Sequence, residues 1–397
     1  VEYDGKTKMI SLVPAPLRFW MRAFCVLCLA SIFVPVSALG DAWDADNAPS
    51  RFGLSGSLKF AELPTEGTVT HRPWVGHSWK ERKGGIAYRW QTGTSAWDYT
   101  PHSSDALMRL SEKDLTALSP AEKFDIFAGR DSYPTVWVER ERNARSALSW
   151  YGLCHGWALS ATLFREPSPV VMTSPSGKRI PFGSADVKAL LAYYAGEALF
   201  SRRQFVGLRC NADAPTSAAC RDMNAGAFHV LLANEIGREK RSFVVELSAD
   251  EEIWNKPVLS FSSKVESRRK GASSGAAPGT SEEVTVRTSV TYVHNTDPAW
   301  SAQPDSDSLR TYIYRYRLEL NPGGIVVGGS WLQSGHPDFA WTLLEASPLA
   351  SLPKGTPLER LAELYEASTG DFCASRGVDC ADVTPTPPPS GGTEVLA

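Results

Sequence analysis

The spacing of apolar residues along this chain is helical in its first half and alternating in its second. Ser119, Pro120 and Glu122 stand at capping-box spacing ahead of Phe124, Ile126 and Phe127, which predicts a short helix starting at Pro120. Trp157, Ala161 and Phe164 recur at helical intervals after the turn-like Tyr151 and Gly152, so Cys154 falls at or near a helix N-terminus. Val170 to Phe182, with Pro175, Ser176 and Gly177 at its centre, reads as a hairpin. Ser184 then caps a helix whose apolar face carries Val187, Leu190, Leu191, Tyr194 and Leu199. Beyond it, Phe228 to Ile236 and Phe243 to Leu247 are strand-like, and Val284, Val286, Val290 and Tyr292 alternate with polar partners. Tyr312, Tyr314, Tyr316, Leu318 and Leu320 alternate more clearly, and Ile325 to Trp331 follows a turn at Pro322, Gly323 and Gly324. Helices first and antiparallel strands later make an α+β fold.

The same pattern divides the 397 residues. Met21 and Arg22, the apolar run Ala23 to Val34 and the small residues around Ala38 and Gly40 have the layout of a secretory signal peptide. The run is shorter than the roughly 20 residues of a membrane-spanning helix. Residues 1–40 are therefore a signal peptide with an N-terminal extension, and 41–383 form one domain. Within it, 41–140 is an irregular, strand-poor part with a short β-like piece at Gly85 to Trp90, and 265–283 is a flexible insert dense in Gly, Ser and Ala. Residues 384–397, with their proline run, are a disordered tail.

Charge narrows the function classes by exclusion. With 41 basic and 44 acidic residues the net charge is -3, which provides no field favouring nucleic acid or an anionic membrane. Cysteine is more informative. Removing Cys25 and Cys28 with the signal leaves Cys154, Cys210, Cys220, Cys373 and Cys380, an odd number for an oxidising compartment. Cys210 with Cys220, and Cys373 with Cys380, each bracket a polar loop that a local disulfide can close. Cys154 is the thiol left over. No CxxC pair survives signal removal, and no EF-hand, P-loop or zincin pattern is present, so neither a metal nor another cofactor is expected.

A helix N-terminus lowers a thiol's pKa and so prepares it for acyl chemistry. Such a thiol needs a base, and seven histidines compete for the part. His155 would point away from Cys154 along the helix. His71, His77 and His102 lie in the irregular part. His229 sits in the apolar setting of Phe228, Val230 and Leu231, where an unpaired ring is costly. Glu246, among Val244, Val245 and Leu247, would lie beside His229 in a hairpin and fix its tautomer, with Asn255, Asp250 and Asp222 as competitors. His336 with Asp338 is a second pair, set in a turn by Pro337. The oxyanion would be held by the Cys154 backbone N–H and a second donor, for which Trp79 and Trp150 are candidates.

Asn224 to Val230, then Leu232, Ala233 and Asn234, then Ile253, Trp254, Asn255, Lys256, Pro257, Val258 and Phe261 resemble the transglutaminase elicitor family of oomycetes and its bacterial relatives. The last stretch is similar to the Val-Trp-Asn-Gln-Pro-Val peptide that plants recognise in the oomycete proteins. Lys256, Leu259 and Ser260 depart from it, standing where that peptide has Gln, Arg and Gly. The resemblance implies a papain-like or transglutaminase-like fold, with a nucleophile helix packed on an antiparallel sheet. It also implies a secreted protein-glutamine gamma-glutamyltransferase with Cys154 as nucleophile, His229 as base and Glu246 where the family has Asp. Its partners would be a protein glutamine donor and a lysine or small-amine acceptor. The same residues suit a papain-like cysteine peptidase or a deamidase, and a secreted recognition module without catalysis is the reading from a different class.

Overall fold

The computed structural model describes residues 43–53, 56–199, 203–209, 222–248, 250–303, 308–343, 349, 358–370 and 393–394. The proposed signal peptide and the cysteine pairs Cys210–Cys220 and Cys373–Cys380 lie outside the described residues. The helices are α1 (Ser104–Arg109), α2 (Glu112–Thr116), α3 (Pro120–Phe127), α4 (Pro134–Arg142), α5 (Cys154–Leu163), α6 (Ser184–Tyr193), α7 (Ala225–Leu231) and α8 (Leu361–Thr369), of which α5 and α7 pack on the main sheet. The strands are β1 (Glu66–Thr68), β2 (Val170–Thr173), β3 (Arg179–Phe182), β4 (Arg203–Val206), β5 (Val244–Glu246), β6 (Asn255–Lys270), β7 (Glu282–Val293), β8 (Leu309–Leu320), β9 (Val326–Trp331), β10 (Phe339–Leu343) and β11 (Thr393–Glu394). β2 and β3 form the separate hairpin expected between Val170 and Phe182. The others make one sheet in the order β11-β8-β7-β6-β5-β10-β4, with β1 on β6 and β9 on β8. Every pairing is antiparallel except that of β11 with β8. This mixed helix and antiparallel-sheet fold is the α+β class expected.

Local signals explain most of these elements. Ser119 and Glu122 close the capping box of α3 reciprocally. In α6 the cap is Gly183, whose N–H bonds the Asp186 carboxylate at 2.7 Å; Ser184 is the first helical residue instead. β7 and β8 pair without a break from Glu282↔Leu320 to Val293↔Leu309, so the alternating apolar residues of both strands share one buried face.

Three expectations are corrected. Gly85–Ala87 is a 3-10 turn, not a strand. The segment 265–283 is β-structure at both ends and a connection only over 271–281, because β6 runs to Lys270 and pairs Arg268, Arg269 and Lys270 with Val284, Glu283 and Glu282. Phe228 to Ile236, read as a strand, is helical: α7 starts on an Asn224 cap, whose Oδ1 accepts from Gly226 N at 2.8 Å, and continues as a π-turn over Leu232–Arg238. Every residue of α7 is buried. A helix apolar all round has no amphipathic period, and a continuous apolar run does not separate buried helix from strand.

The irregular N-terminal part grips the residues that precede α5. Leu153 N donates to Ser78 O at 2.6 Å, Glu81 N to Tyr151 O at 3.0 Å, and Gly152 bridges Lys80. Gly152 has to be glycine here, since a Cβ would stand 2.4 Å from Ser78 O. On its other side α5 touches α6 through Gly156, where a Cβ would lie 2.1 Å from Ala192 O. Gly156→Ala should therefore wedge the two helices apart and cost about 1–3 kcal/mol. Urea unfolding would show this as a lower midpoint at unchanged slope, and an unchanged midpoint would refute the close contact.

Candidate active site

Cys154 is the first residue of α5 and is nearly buried, at 5% exposure. Its thiol lines a cleft of about 350 Å³ with Tyr151, His155, Arg203, Asn255, Phe339 and Trp341. Sγ donates to Ile253 O at 3.5 Å, and Asn255 Nδ2 donates to Sγ at 3.6 Å. The orientation of that amide is not arbitrary. Trp341 Nε1 lies 2.7 Å from Asn255 Oδ1, and an indole N–H only donates, so the oxygen faces Trp341 and the NH2 faces the sulfur.

The sheet places these groups by register. Asn255 is opposite Glu246, and Glu246 is opposite Phe339, while Trp341 stands two residues further along β10. Opposed residues and those two apart share a face, so Asn255, Phe339 and Trp341 face together. Arg203 caps the group from β4, 4.7 Å from the Trp341 ring centroid, and donates to Gly196 O at 2.8 Å. Gly196 lies in the π-turn Tyr194–Ala198 that ends α6. Such a turn aims carbonyls away from the regular ladder, and turns of this kind recur at functional sites.

Glu246 does not orient a histidine. Its carboxyl accepts from Ser248 N and from Trp254 N, both at 3.1 Å, and so cinches the loop that delivers Ile253 O and Asn255 to the sulfur. Burial drives it up to about 9, against the pull of the Trp254 N–H, and Asp338 and Asp250 push the same way. It is therefore a neutral carboxyl at pH 7.

His229 is also placed elsewhere. On α7 rather than on a strand beside Glu246, it meets Tyr316 Oη through Nδ1 at 2.8 Å and packs 5.9 Å from the Phe60 ring. Burial alone pushes its ring down to about 4, with no charged neighbour acting on it. The structure thus brings Asn255, among the three competitors for the third role, to Cys154, and brings neither His229 nor Glu246 into hydrogen-bond contact with it. Asp222 pairs with His336 at 3.5 Å, and His336 stacks on Trp331. Trp150 lines the cleft, while Trp79 is buried beside His77. The histidine of the cleft is His155, pushed down to about 3 by burial and by Arg203 and Arg142. The sequence named Asn255 only as a competitor for orienting His229, because an amide gives no periodicity signal that would place it beside the thiol.

Among the described residues no group of His, Cys, Asp and Glu is arranged to hold a metal ion, and no helix is long and apolar enough to cross a membrane.

Comparison with known proteins gives two matches. The family model "Transglutaminase elicitor" matches residues 129–359, more than half of the chain. Among solved structures, the crystal structure of the GP42 transglutaminase from Phytophthora sojae matches with a TM-score of 0.60 at 21% identity. The match covers 82% of this chain and 97% of that one. At that identity it is the fold that is shared. No curated protein matches.

The buried Glu246 carboxyl generates a pH test. In the fold it keeps its proton to about pH 9, whereas the unfolded chain releases it near its ordinary 4.5. The unfolded state then binds fewer protons between these values, and stability contributed by this group falls as pH rises through that window. Glu246→Gln cannot ionise, so its melting temperature relative to the parent should climb between pH 5 and pH 9. A difference that stays constant over that range would mean that Glu246 is charged in the fold.

Proposed function

The chain belongs to the transglutaminase elicitor family, and from that premise we propose that its cleft transfers the acyl group of a protein glutamine to an amine, with Cys154 as nucleophile. The observation that carries this reading is the thiol at the N-terminus of α5, held between Ile253 O and the oriented Asn255 amide. The α5 dipole favours negative charge at the sulfur. The arrangement, a thiol at a helix start facing an antiparallel sheet, is of the papain-like kind.

In this mechanism the Cys154 sulfur attacks the carboxamide carbon, the C–N bond breaks, and the thiol proton ends on the departing ammonia. The thioester then acylates a lysine or small amine; water in its place gives deamidation. The Asn255 NH2 and the backbone N–H of Cys154 are the donors for the tetrahedral oxyanion. Trp341 keeps the amide from flipping, and Glu246 holds the loop that carries it. His229 serves the fold through Tyr316 rather than the reaction. Secretion fits the odd number of cysteines that remain after the signal-like residues 1–40.

Mass spectrometry of the protein incubated with casein and a primary amine tests the reading. Amine-for-ammonia exchange at glutamine should be present, and absent in Cys154→Ala. Asn255→Ala should lose about a hundredfold in kcat, the usual cost of one oxyanion donor. His229→Gln should lower the melting temperature and leave the pH profile of the transfer in place. Backbone cleavage of casein would identify a peptidase instead, and an inert wild type would favour a recognition module.

A further inference from the structure

A glutamine side chain accounts for only part of the cleft around Cys154. At about 350 Å³ the cleft falls in the roughly 300–1,000 Å³ range of sites that enclose a whole small molecule, whereas a glutamine arm brings two methylenes and a polar head. Much of the remaining wall is aromatic, and two separate pieces of chain supply the rings.

The first piece is the β4–β10 pair. Trp341 stands directly opposite Phe205, with Phe339 two residues away, so the three share one face of the sheet. Phe205 stacks on Trp341 with centroids 6.0 Å apart and meets Phe339 edge-on at 5.8 Å. Phe339 and Trp341 are buried, but Phe205 is only half-buried. The second piece is the turn before α5, where Tyr151 N donates to Leu148 O at 3.1 Å. Trp150 and Tyr151 pack edge-on there, 4.3 Å between centroids, and Tyr151 stays 38% exposed although Glu81 N fixes its backbone at 3.0 Å. Leu148, at the start of that turn, is exposed as well. The guanidiniums of the cleft are held on the protein's own carbonyls, Arg203 on Gly196 O and Arg209 on Glu251 O, each at 2.8 Å. Half-exposed rings at an open cleft do little for the fold and gain when an apolar ligand covers them.

We propose that Phe205 and Tyr151 frame a subsite for an aromatic or large apolar side chain next to the reactive glutamine, so that the acyl donor is a protein whose glutamine stands beside such a residue. The glutamine arm reaches Cys154 and Asn255, and the neighbouring side chain lies against the rings. Phe205 and Tyr151 are specificity-determining residues in this scheme: they touch the donor and not the reacting atoms. The inference rests on acyl transfer at Cys154 and adds to it the class of donor.

Three acetylated tetrapeptide amides test it: Gly-Phe-Gln-Gly, Gly-Gln-Phe-Gly and Gly-Ser-Gln-Gly. Each is measured as donor to methylamine, and as protectant of Cys154 against iodoacetamide, read by mass spectrometry. The better Phe peptide should exceed the Ser peptide about tenfold in kcat/KM, mostly through KM, and protect at a correspondingly lower concentration. In Phe205→Ala and in Tyr151→Ala the Phe-to-Ser ratio should shrink to within about threefold. Tyr151 is exposed, so its variant carries the measurement if Phe205→Ala does not fold. Equal use and equal protection by all three peptides in the parent protein overturn the proposal, as does an unchanged ratio in the folded variants. Protection that still favours a Phe peptide in a protein that transfers from no donor, casein included, would sink the proposed function and leave the subsite standing.

Discussion

One hydrogen bond decides what the candidate nucleophile meets: Trp341 Nε1–H to Asn255 Oδ1, 2.7 Å long and fully buried. Asparagine's two ends differ in hydrogen-bonding sense, and the indole tolerates only one of them. With the oxygen committed, the NH2 is aimed at Cys154 Sγ, where it is a donor to a thiolate or to an oxyanion formed beside it. The bond joins β6 to β10, strands separated by β5. The sheet register, the Glu246-cinched loop and the position of Arg203 over the Trp341 ring all serve to keep it. On the other side of the sulfur, the contacts of Ser78 and Lys80 with Leu153 and Gly152 fix where α5 begins. Trp79 between them is held at a φ of 44°, a left-handed conformation that a bulky residue adopts only where surrounding structure enforces it.

How much of this was legible in the residues follows from the kind of signal each element carries. Amphipathic and capped elements were readable: the α3 capping box, the Val170–Phe182 hairpin and the alternating tyrosines of β8 each have a period or a cap that only one structure satisfies. Cys154 at a helix start was readable too, from Gly152 and the spacing of Trp157 and Ala161. Elements buried on all sides were not. In α7 the apolar run around His229 has no polar face to reveal its period, and the Asn224 cap was the one sign of a helix. Misreading it as a strand carried His229 into an imagined hairpin with Glu246. The loop 271–281 between β6 and β7 was overextended for the opposite reason: Arg268, Arg269 and Lys270 look like linker composition, yet they pair with Glu282, Glu283 and Val284 on an exposed stretch of sheet.

Glu246 shows how the same residue serves differently from what its type suggests. A carboxylate near a histidine invites a triad. Here its two oxygens receive backbone N–H groups from the loop on its C-terminal side, and burial outweighs them, so the group is neutral at physiological pH. A neutral carboxyl still accepts both N–H groups, so the group holds the loop behind the cleft without adding a charge there.

Two buried lysines make the contrast explicit. Lys123 is fully buried and meets Asp186 at 2.6 Å, while Asp186 also takes Trp90 Nε1 and Gly183 N, so that charge is closed within the fold and is structural. Lys256 instead meets the Asn295 amide oxygen and the ring faces of Trp157 and Trp254, which compensate a buried charge only in part, so burial pushes its ammonium down to about 8.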